Sequence, residues 1–459
     1  MKPVLACILA CVCMASVSQA EASRPNVLFI LADDQRNDTL GCAGDPIVQT
    51  PNIDRLAAEG VRFKNAFVTT AICAASRASI LTSLAERTHG YTFGAPPVPR
   101  RFTESTYPAL LRKAGYYTGF VGKFGANYEG FDQAGLFDVF HERDRPYLRK
   151  QEDGSVRHID EINTEQAIDF LEAAPAGRPF CLSVSFSSPH GEDGDLENHY
   201  PCIDAVKGLY EDITFPAPRL SDPAIFDAHP DFLKESMNRV RYHWRWDTPE
   251  KYQKNMRAYY RMLSGVDVMI GRVLEALKRR GLADNTVVIY MADNGYYMGN
   301  RGFSGKWSHY EESLRVPLII RDPRVPGGRV VDAMALNLDI APTLLEIAGL
   351  NVPAHYQGRS LAPLLGGDAP ADWRTSFYAE HRMDHKQIPK WEGIRDTRYV
   401  YARYDEQTPP YEFLHDLYAD PDQLTNLAGD ANHETVMRAM RSKCEAERDR
   451  CLAARQPQP

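Results

Sequence analysis

The sequence predicts an α/β protein: a doubly wound sheet flanked by helices, followed by a smaller C-terminal unit. Three observations predict it. Five short apolar runs, at 27–32, 118–121, 180–186, 286–291 and 316–320, read as buried strands of a parallel sheet, since strands covered on both faces are apolar throughout rather than alternating. Helical patterns lie between these runs, and strand–helix alternation is what a doubly wound domain requires. After GRSLAPLLGGDAPADW the pattern changes to aromatic, turn-broken segments such as TRYVYARY and YEFLHDLY. A charged helix follows from about His433.

Taken in order, the chain opens MKPVLACILACVCMASVSQA, with Lys2, an apolar run, and Ser18-Gln19-Ala20 as a small-x-small cleavage site. Residues 1–20 therefore read as a secretory signal peptide. The run is too short to span a bilayer and nothing later repeats it, so no membrane span is expected. The expected location is periplasmic or secreted. The first strand, NVLFILA, runs straight into Asp33-Asp34. In TPNIDRLAAEG, Thr50 is placed as N-cap and Pro51 in the first turn, with Ile53, Leu56 and Ala57 on one face and Gly60 as the stop. In ICAASRASILTS a helix is expected to begin near Ala75, which sets Cys73 at its N-terminal edge and Arg77 four residues on. CLSVSFSSP delivers His190, 255–280 reads as an amphipathic helix ended by Gly281, and TVVIYMA runs into Asp293-Asn294-Gly295. The expected division is 21–365 for a catalytic domain and 366–459 for a small antiparallel sheet with one covering helix.

Composition narrows the function. Fifty-three Lys and Arg stand against 61 Asp and Glu, a formal charge of −8 with no long basic run. That leaves no electrostatic footprint for nucleic acid or a membrane surface. Beyond residue 20 the cysteines are Cys42, Cys73, Cys181, Cys202, Cys444 and Cys451. This is not a small stapled scaffold. Cys444 and Cys451 stand roughly 10 Å apart along an unbroken helix and cannot bridge there.

Three strand ends carry polar clusters, and in open α/β sheets ligands bind at the carboxyl edge. Asp33, Asp34, Asp293 and Asn294 form a hard-oxygen set that suits Ca²⁺ or Mg²⁺ far better than zinc. Either pair alone would be an ordinary turn or helix cap. Cys73 at a helix N-terminal edge with Arg77 on the same side offers a seat for an oxyanion. Alone, that pair would be a buried thiol beside a salt-bridged arginine.

Cys73-Ala74-Ala75-Ser76-Arg77, followed by Leu81-Thr82-Ser83, resembles the signature of the formylglycine-dependent sulfatases, members of the alkaline-phosphatase-like superfamily. NVLFILADDQRNDTLG, TPNIDRLAAEGVRFKNAF, ADNG, GKWSHYEESLRVPLII, GRSLAPLL and LHDLYADPDQLTNLA resemble further family segments, so the likeness covers nearly the whole chain. It implies an alkaline-phosphatase-like mixed sheet. It implies that a formylglycine-generating maturation enzyme oxidises Cys73 to Cα-formylglycine (3-oxoalanine). Asp33, Asp34, Asp293 and Asn294 would hold Ca²⁺, with an oxygen at position 73 completing the set. Arg77, Lys123, His190 and Lys306 fall on sulfate-contact and acid–base positions. One hydroxyl of the hydrated aldehyde attacks sulfur, and the second allows sulfate to be expelled. Two positions depart from the pattern: Ala75 stands where proline is usual, and Gly125 in VGKFGAN stands where the family carries a histidine, a role that would pass to another group such as His309.

The implied substrate is a sulfated carbohydrate of an extracellular polysaccharide, handled by an exported bacterial enzyme. EHRMDHKQIPKWEGIRDTRYVYARY supplies His381, Arg382, Lys390, Trp391 and Arg395, which could stack on sugars and grip anions, or equally form a packed sheet with a solvated face. His309 is a further substrate-binding candidate. Trp244 and Trp246 read as lid or packing residues. The rivals are a phosphodiester or phosphonate ester hydrolase of the same superfamily, and a non-catalytic binder of sulfated glycans.

Overall fold

The computed structural model describes residues 24–94, 96–130 and 133–456; the signal segment 1–20 lies outside them. Eight strands form the central sheet: β1 (Asn26–Ala32), β2 (Val61–Phe63), β3 (Tyr117–Gly122), β4 (Val139–Glu142), β5 (Phe180–Ser185), β6 (Thr286–Ala292), β7 (Leu318–Arg321) and β8 (Arg329–Val331). Their order is β8-β2-β7-β6-β1-β5-β3-β4. β1, β5 and β6 are buried at every position, which is why they read as unbroken apolar runs. β1 pairs in parallel with β5 and β6, setting Leu28 between Leu182 and Val288, and β3 continues the parallel set beside β5.

The expectation that all five runs lie parallel fails at β7, which is antiparallel to both β6 and β2. The chain leaves β6 at its carboxyl end, makes a 3-10 turn at Asn300–Gly302 and the short helix Glu311–Leu314, and re-enters the sheet at β7. A parallel return would need a crossover across the sheet face. The sheet is therefore mixed, as the family likeness implies.

The helices that matter for the site are α1 (Pro51–Glu59), α2 (Cys73–Thr82), α3 (Ile159–Ala173) and α4 (Pro249–Arg279). α4 starts ahead of the expected 255 because Thr248 caps it, accepting from the Lys251 N–H at 3.2 Å, and Pro249 fits its first turn. Thr50 does not cap α1. Its hydroxyl donates to Asp54 Oδ1 at 3.1 Å, while the Asn52 and Ile53 N–H groups reach Asp267 of α4 at 2.9 and 2.8 Å. The cap is thus tertiary, and it pins α1 to α4.

Beyond these come β9 (Ser376–His381), β10 (Trp391–Asp396), β11 (Tyr399–Tyr404) and β12 (Tyr411–Asp416), an antiparallel meander covered by α5 (Glu434–Arg455). Tyr378, Ile394, Tyr401 and Leu414 of the sheet pack with Met437, Met440, Cys444 and Cys451 of the helix. All six described cysteines are free thiols. Among the described residues no helix is long and apolar enough to cross a membrane.

Candidate active site

Because β6, β1, β5 and β3 run side by side in one direction, their carboxyl ends open on one edge of the sheet. Asp33 and Asp34 follow β1, Asp293 and Asn294 follow β6, Lys123 follows β3, and 187–190 follow β5. α2 brings Cys73 and Arg77 to the same edge. It starts at Cys73 itself rather than near Ala75, so the thiol sits on the first helical residue, 5% exposed. Free N–H groups at a helix start favour an anion there.

Arg77 is the hub. Its guanidinium is 2% exposed; Nε donates to Asp293 Oδ2 at 2.8 Å, Nη2 lies 3.5 Å from Asp33 Oδ2, and Nη1 donates to the Lys123 carbonyl and the Ser185 hydroxyl. Lys123 Nζ donates to Asp33 Oδ2 at 2.5 Å. Lys306 Nζ donates to Asp34 Oδ1, which also accepts from Asn294 Nδ2 at 2.6 Å. Burial would raise the Asp33 carboxyl, but Lys123, Arg77, Lys306 and Arg145 outweigh it and hold it well below the usual carboxylate range. Asp293 goes the other way: burial and then Asp33 push it up against the opposing Arg77 and Lys123.

The donor set fits a hard divalent cation. Asp33 Oδ1, Asp34 Oδ2 and Asn294 Oδ1 are buried oxygens with no hydrogen-bond partner among the described residues, which is costly unless something positive meets them. Asp33, Asp34 and His190 each place one potential ligand atom within 4.8 Å of the others.

His190 Nε2 lies 3.6 Å from Asp34 Oδ2. Arg145 Nη1 reaches His190 Nδ1 at 2.9 Å and the Gly191 carbonyl at 3.2 Å. His190 Nδ1 also lies 2.7 Å from the Gly191 carbonyl, so it faces a donor in Arg145 and an acceptor in that carbonyl, and its contacts serve either tautomer. Burial, then Arg145, Lys306, Lys123 and Arg241, hold His190 well below its ordinary value, so the ring is neutral. Cys73 lies within electrostatic reach of Arg77, Lys123, Lys306 and Arg145.

All nine residues expected at the centre thus meet: Cys73, Arg77, Lys123, His190, Lys306, Asp33, Asp34, Asp293 and Asn294. Gly125 sits beside them with φ +71°, and a Cβ there would lie 3.0 Å from Arg77 Cδ. A side chain at 125 would need the Arg77 Cδ methylene to give by a few tenths of an ångström, and φ +71° favours glycine there. His309 does not take up the vacated role. It is buried against the C-terminal sheet, with Nδ1 2.9 Å from the Tyr404 hydroxyl and Nε2 3.3 Å from His415 Nε2.

The candidates from 381–395 fare differently from the centre. Trp391 is 1% exposed and donates its indole N–H to the Trp307 carbonyl at 2.9 Å, so it has no open face for a sugar ring. Arg395 pairs with Glu311 at 3.1 Å and lies over the Phe67 ring, its charge committed within the fold. Arg382 pairs with Asp405 at 2.8 Å, and Lys390 with Asp384 and Glu406, both at 2.9 Å. His381 is fully buried with neither ring nitrogen bonded. Trp246 packs in the second core and donates to Ser304 at 3.0 Å, in keeping with a packing role.

Sequence reasoning missed Arg145 and Ser185. Arg145 stands in HERDRPYLRK, a polar stretch with no periodic pattern, and only the tertiary fold carries it to His190. Ser185 is the last residue of an apolar strand and gave no separate signal.

The family described as Sulfatase matches residues 25–350, and that described as N-sulphoglucosamine sulphohydrolase, C-terminal, matches 299–450. An N-acetylglucosamine-6-O-sulfatase of Bacteroides thetaiotaomicron is 31% identical, covering 91% of this chain and 85% of the relative. A protein solved in complex with its substrate D-glucosamine-2-N,6-O-disulfate superposes with a TM-score of 0.81 at 27% identity, covering 93% of this chain and 98% of the other. The phosphonate monoester hydrolase of Agrobacterium radiobacter gives 0.77 at 26% identity, covering 94% and 96%.

Proposed function

Because the chain belongs to the sulfatase family, as a type I sulfatase of the alkaline-phosphatase-like superfamily, we propose that it removes sulfate from a sulfated saccharide using a formylglycine made from Cys73. The observation that carries this reading is the set of buried cations Arg77, Lys123 and Lys306 arranged with unpartnered carboxylate and amide oxygens around the edge where Cys73 begins α2.

Asp33, Asp34, Asp293 and Asn294 would hold Ca²⁺, which supplies Lewis-acid polarisation of a sulfuryl oxygen. The hydrated aldehyde supplies the nucleophilic oxygen and a second hydroxyl that lets sulfate leave. The chain's own residues do the rest. Arg77, fixed by Asp293 and Ser185, supplies a rigidly held positive charge, and Lys123 and Lys306 add charge where negative charge shifts toward the leaving alcohol. The proton for that alcohol comes from Lys306, which is an ammonium. His190 is neutral, so giving up its one ring proton would leave an imidazolate; it positions the leaving oxygen through a hydrogen bond instead.

Residues 21–365 would form the catalytic domain and 366–459 the smaller one, in an enzyme exported through the 1–20 signal. The test is turnover of matched sulfate and phosphonate esters by protein matured in a host with a formylglycine-generating enzyme. The proposal expects a clear preference for sulfate. Preference for the phosphonate would move the chain to the rival hydrolases, and glycan binding without turnover of either would make it a binding protein.

A further inference from the structure

Beside the reaction centre stands a group of charges that the chemistry above does not use. Asp193 accepts from both Arg241 and Arg245, so one carboxylate stands against two guanidinium groups and one positive charge is left over. Arg245 is 1% exposed and packs on Gly191, where a Cβ would meet its Nη2 at 3.0 Å; the group therefore adjoins His190. Of the two arginines Arg241 is the more open, with 15% of its side chain exposed, beside Asp193 at 30%. Its guanidinium lies over the Trp307 ring, 4.7 Å from the centroid, and Lys306 Nζ lies 5.9 Å from the same centroid. The two cations are separated by no more than those two distances together, within reach of substituents on one sugar or its neighbour.

Three donors here have no acceptor among the described residues, Arg245 Nε being one of them. Arg241 Nε and the Trp307 indole N–H are both buried and unbonded, although Trp307 is only 6% exposed. An indole can only donate, so what completes it is an acceptor. Trp307 also holds φ +74°, a conformation an L-residue adopts at a cost of about 1–2 kcal/mol, typical of groups held in place for a ligand.

We infer that Arg241 and Trp307, braced by Asp193 and Arg245, form a subsite for a second anionic group, sulfate or carboxylate, on the saccharide whose sulfate ester is cleaved. This rests on the sulfated-saccharide reading. The guanidinium is held on one edge by Asp193 and on one face by the indole, so it meets the anion preorganised.

The test compares wild type with Arg241→Gln and Arg241→Lys, both matured and checked for unchanged melting. The substrates are N-acetylglucosamine 6-sulfate, glucosamine 2-N,6-O-disulfate, and 6-sulfated glucosamine linked to a uronic acid. The readout is the ratio of kcat/KM for each doubly charged substrate to that for the monosulfated one. Arg241→Gln should lower this ratio by about tenfold to a hundredfold, mainly through KM, and Arg241→Lys should restore part of it. A fall only with the disulfate assigns sulfate, and a fall only with the uronide assigns carboxylate. An unchanged ratio for both overturns the subsite. If wild type turns over none of the three, a 6-sulfated glucosamine is not its substrate, while the sulfatase reading still stands or falls on the matched sulfate and phosphonate esters. Calorimetry then decides the subsite: tighter binding of the disulfate by wild type than by Arg241→Gln upholds it, and equal affinity overturns it.

Discussion

Replacing Arg77 with alanine removes a guanidinium that is buried and bonded on every side. Asp293 and Asp33 lose their partner at 2.8 and 3.5 Å, and the Lys123 carbonyl and Ser185 hydroxyl lose a donor. Leaving carboxylates buried without their cation costs about 3–5 kcal/mol of stability. Loss of this fixed positive charge beside the developing sulfuryl charge costs a further factor of about 10²–10³ in kcat. Arg77→Lys keeps the charge but not the geometry, since one ammonium cannot serve contacts on four sides. It should lie between alanine and wild type in stability while losing most of the activity. The assay is urea unfolding followed by tryptophan fluorescence, with and without Ca²⁺, beside kcat on a saturating sulfate ester. Ca²⁺ should shrink the stability loss, because a second cation then meets the same carboxylates, and should leave the kcat loss in place. An Arg77→Ala protein that unfolds at the wild-type midpoint without Ca²⁺, or keeps kcat within about tenfold, would refute the role given to this side chain.

Two further outcomes follow from buried charge. Because three site oxygens lack partners, Ca²⁺ should stabilise the metal-free chain by about 2.7 kcal/mol at a hundred times its Kd, read as a melting shift, and Asn294→Ala should weaken that shift; Zn²⁺ matching Ca²⁺ would contradict the hard-oxygen assignment. Away from the site, burial and then Glu380 push Glu86 up to about 8, where its carboxyl accepts from the Thr70 hydroxyl at 2.8 Å and the Arg382 N–H at 3.2 Å. The folded state keeps that proton where the unfolded chain has lost it. Stability should therefore fall as pH rises from the ordinary glutamate value of 4.5 to about 8, and Glu86→Gln should flatten that part of the melting-versus-pH curve. Parallel curves for the two proteins would dismiss it.

The central strands and their polar ends were legible because burial on both faces leaves a run with no alternation, and because a carboxylate pair directly after such a run marks the carboxyl edge. β2 and β8, of three residues each, and β4, with no buried residue, left no run to read. The reversal of β7 depends on which edge the chain occupies after β6, and an apolar run carries no direction. The cap of α1 comes from Asp267, more than two hundred residues away, so the local Thr-Pro pattern pointed to the wrong side chain. Strand ends and the first turns of α2 point to Asp33, Asp34, Asp293, Asn294, His190, Cys73 and Arg77, whereas Lys123 and Lys306 stand there only through the family resemblance. Motif spacing could not locate Arg145, nor separate Trp391 and Arg395 as packing from Trp391 and Arg395 as ligands. Their composition is the same in either role, and only the partners Trp307 and Glu311 distinguish them.

The central claim is that position 73 ceases to be a thiol. The direct measurement is the mass of the tryptic peptide NAFVTTAICAASR, residues 65–77, from protein made in its native host. The account predicts a peptide lighter than the thiol form that is captured by a hydrazide. An unmodified thiol on every copy would leave the proposed chemistry without its nucleophile and contradict the account.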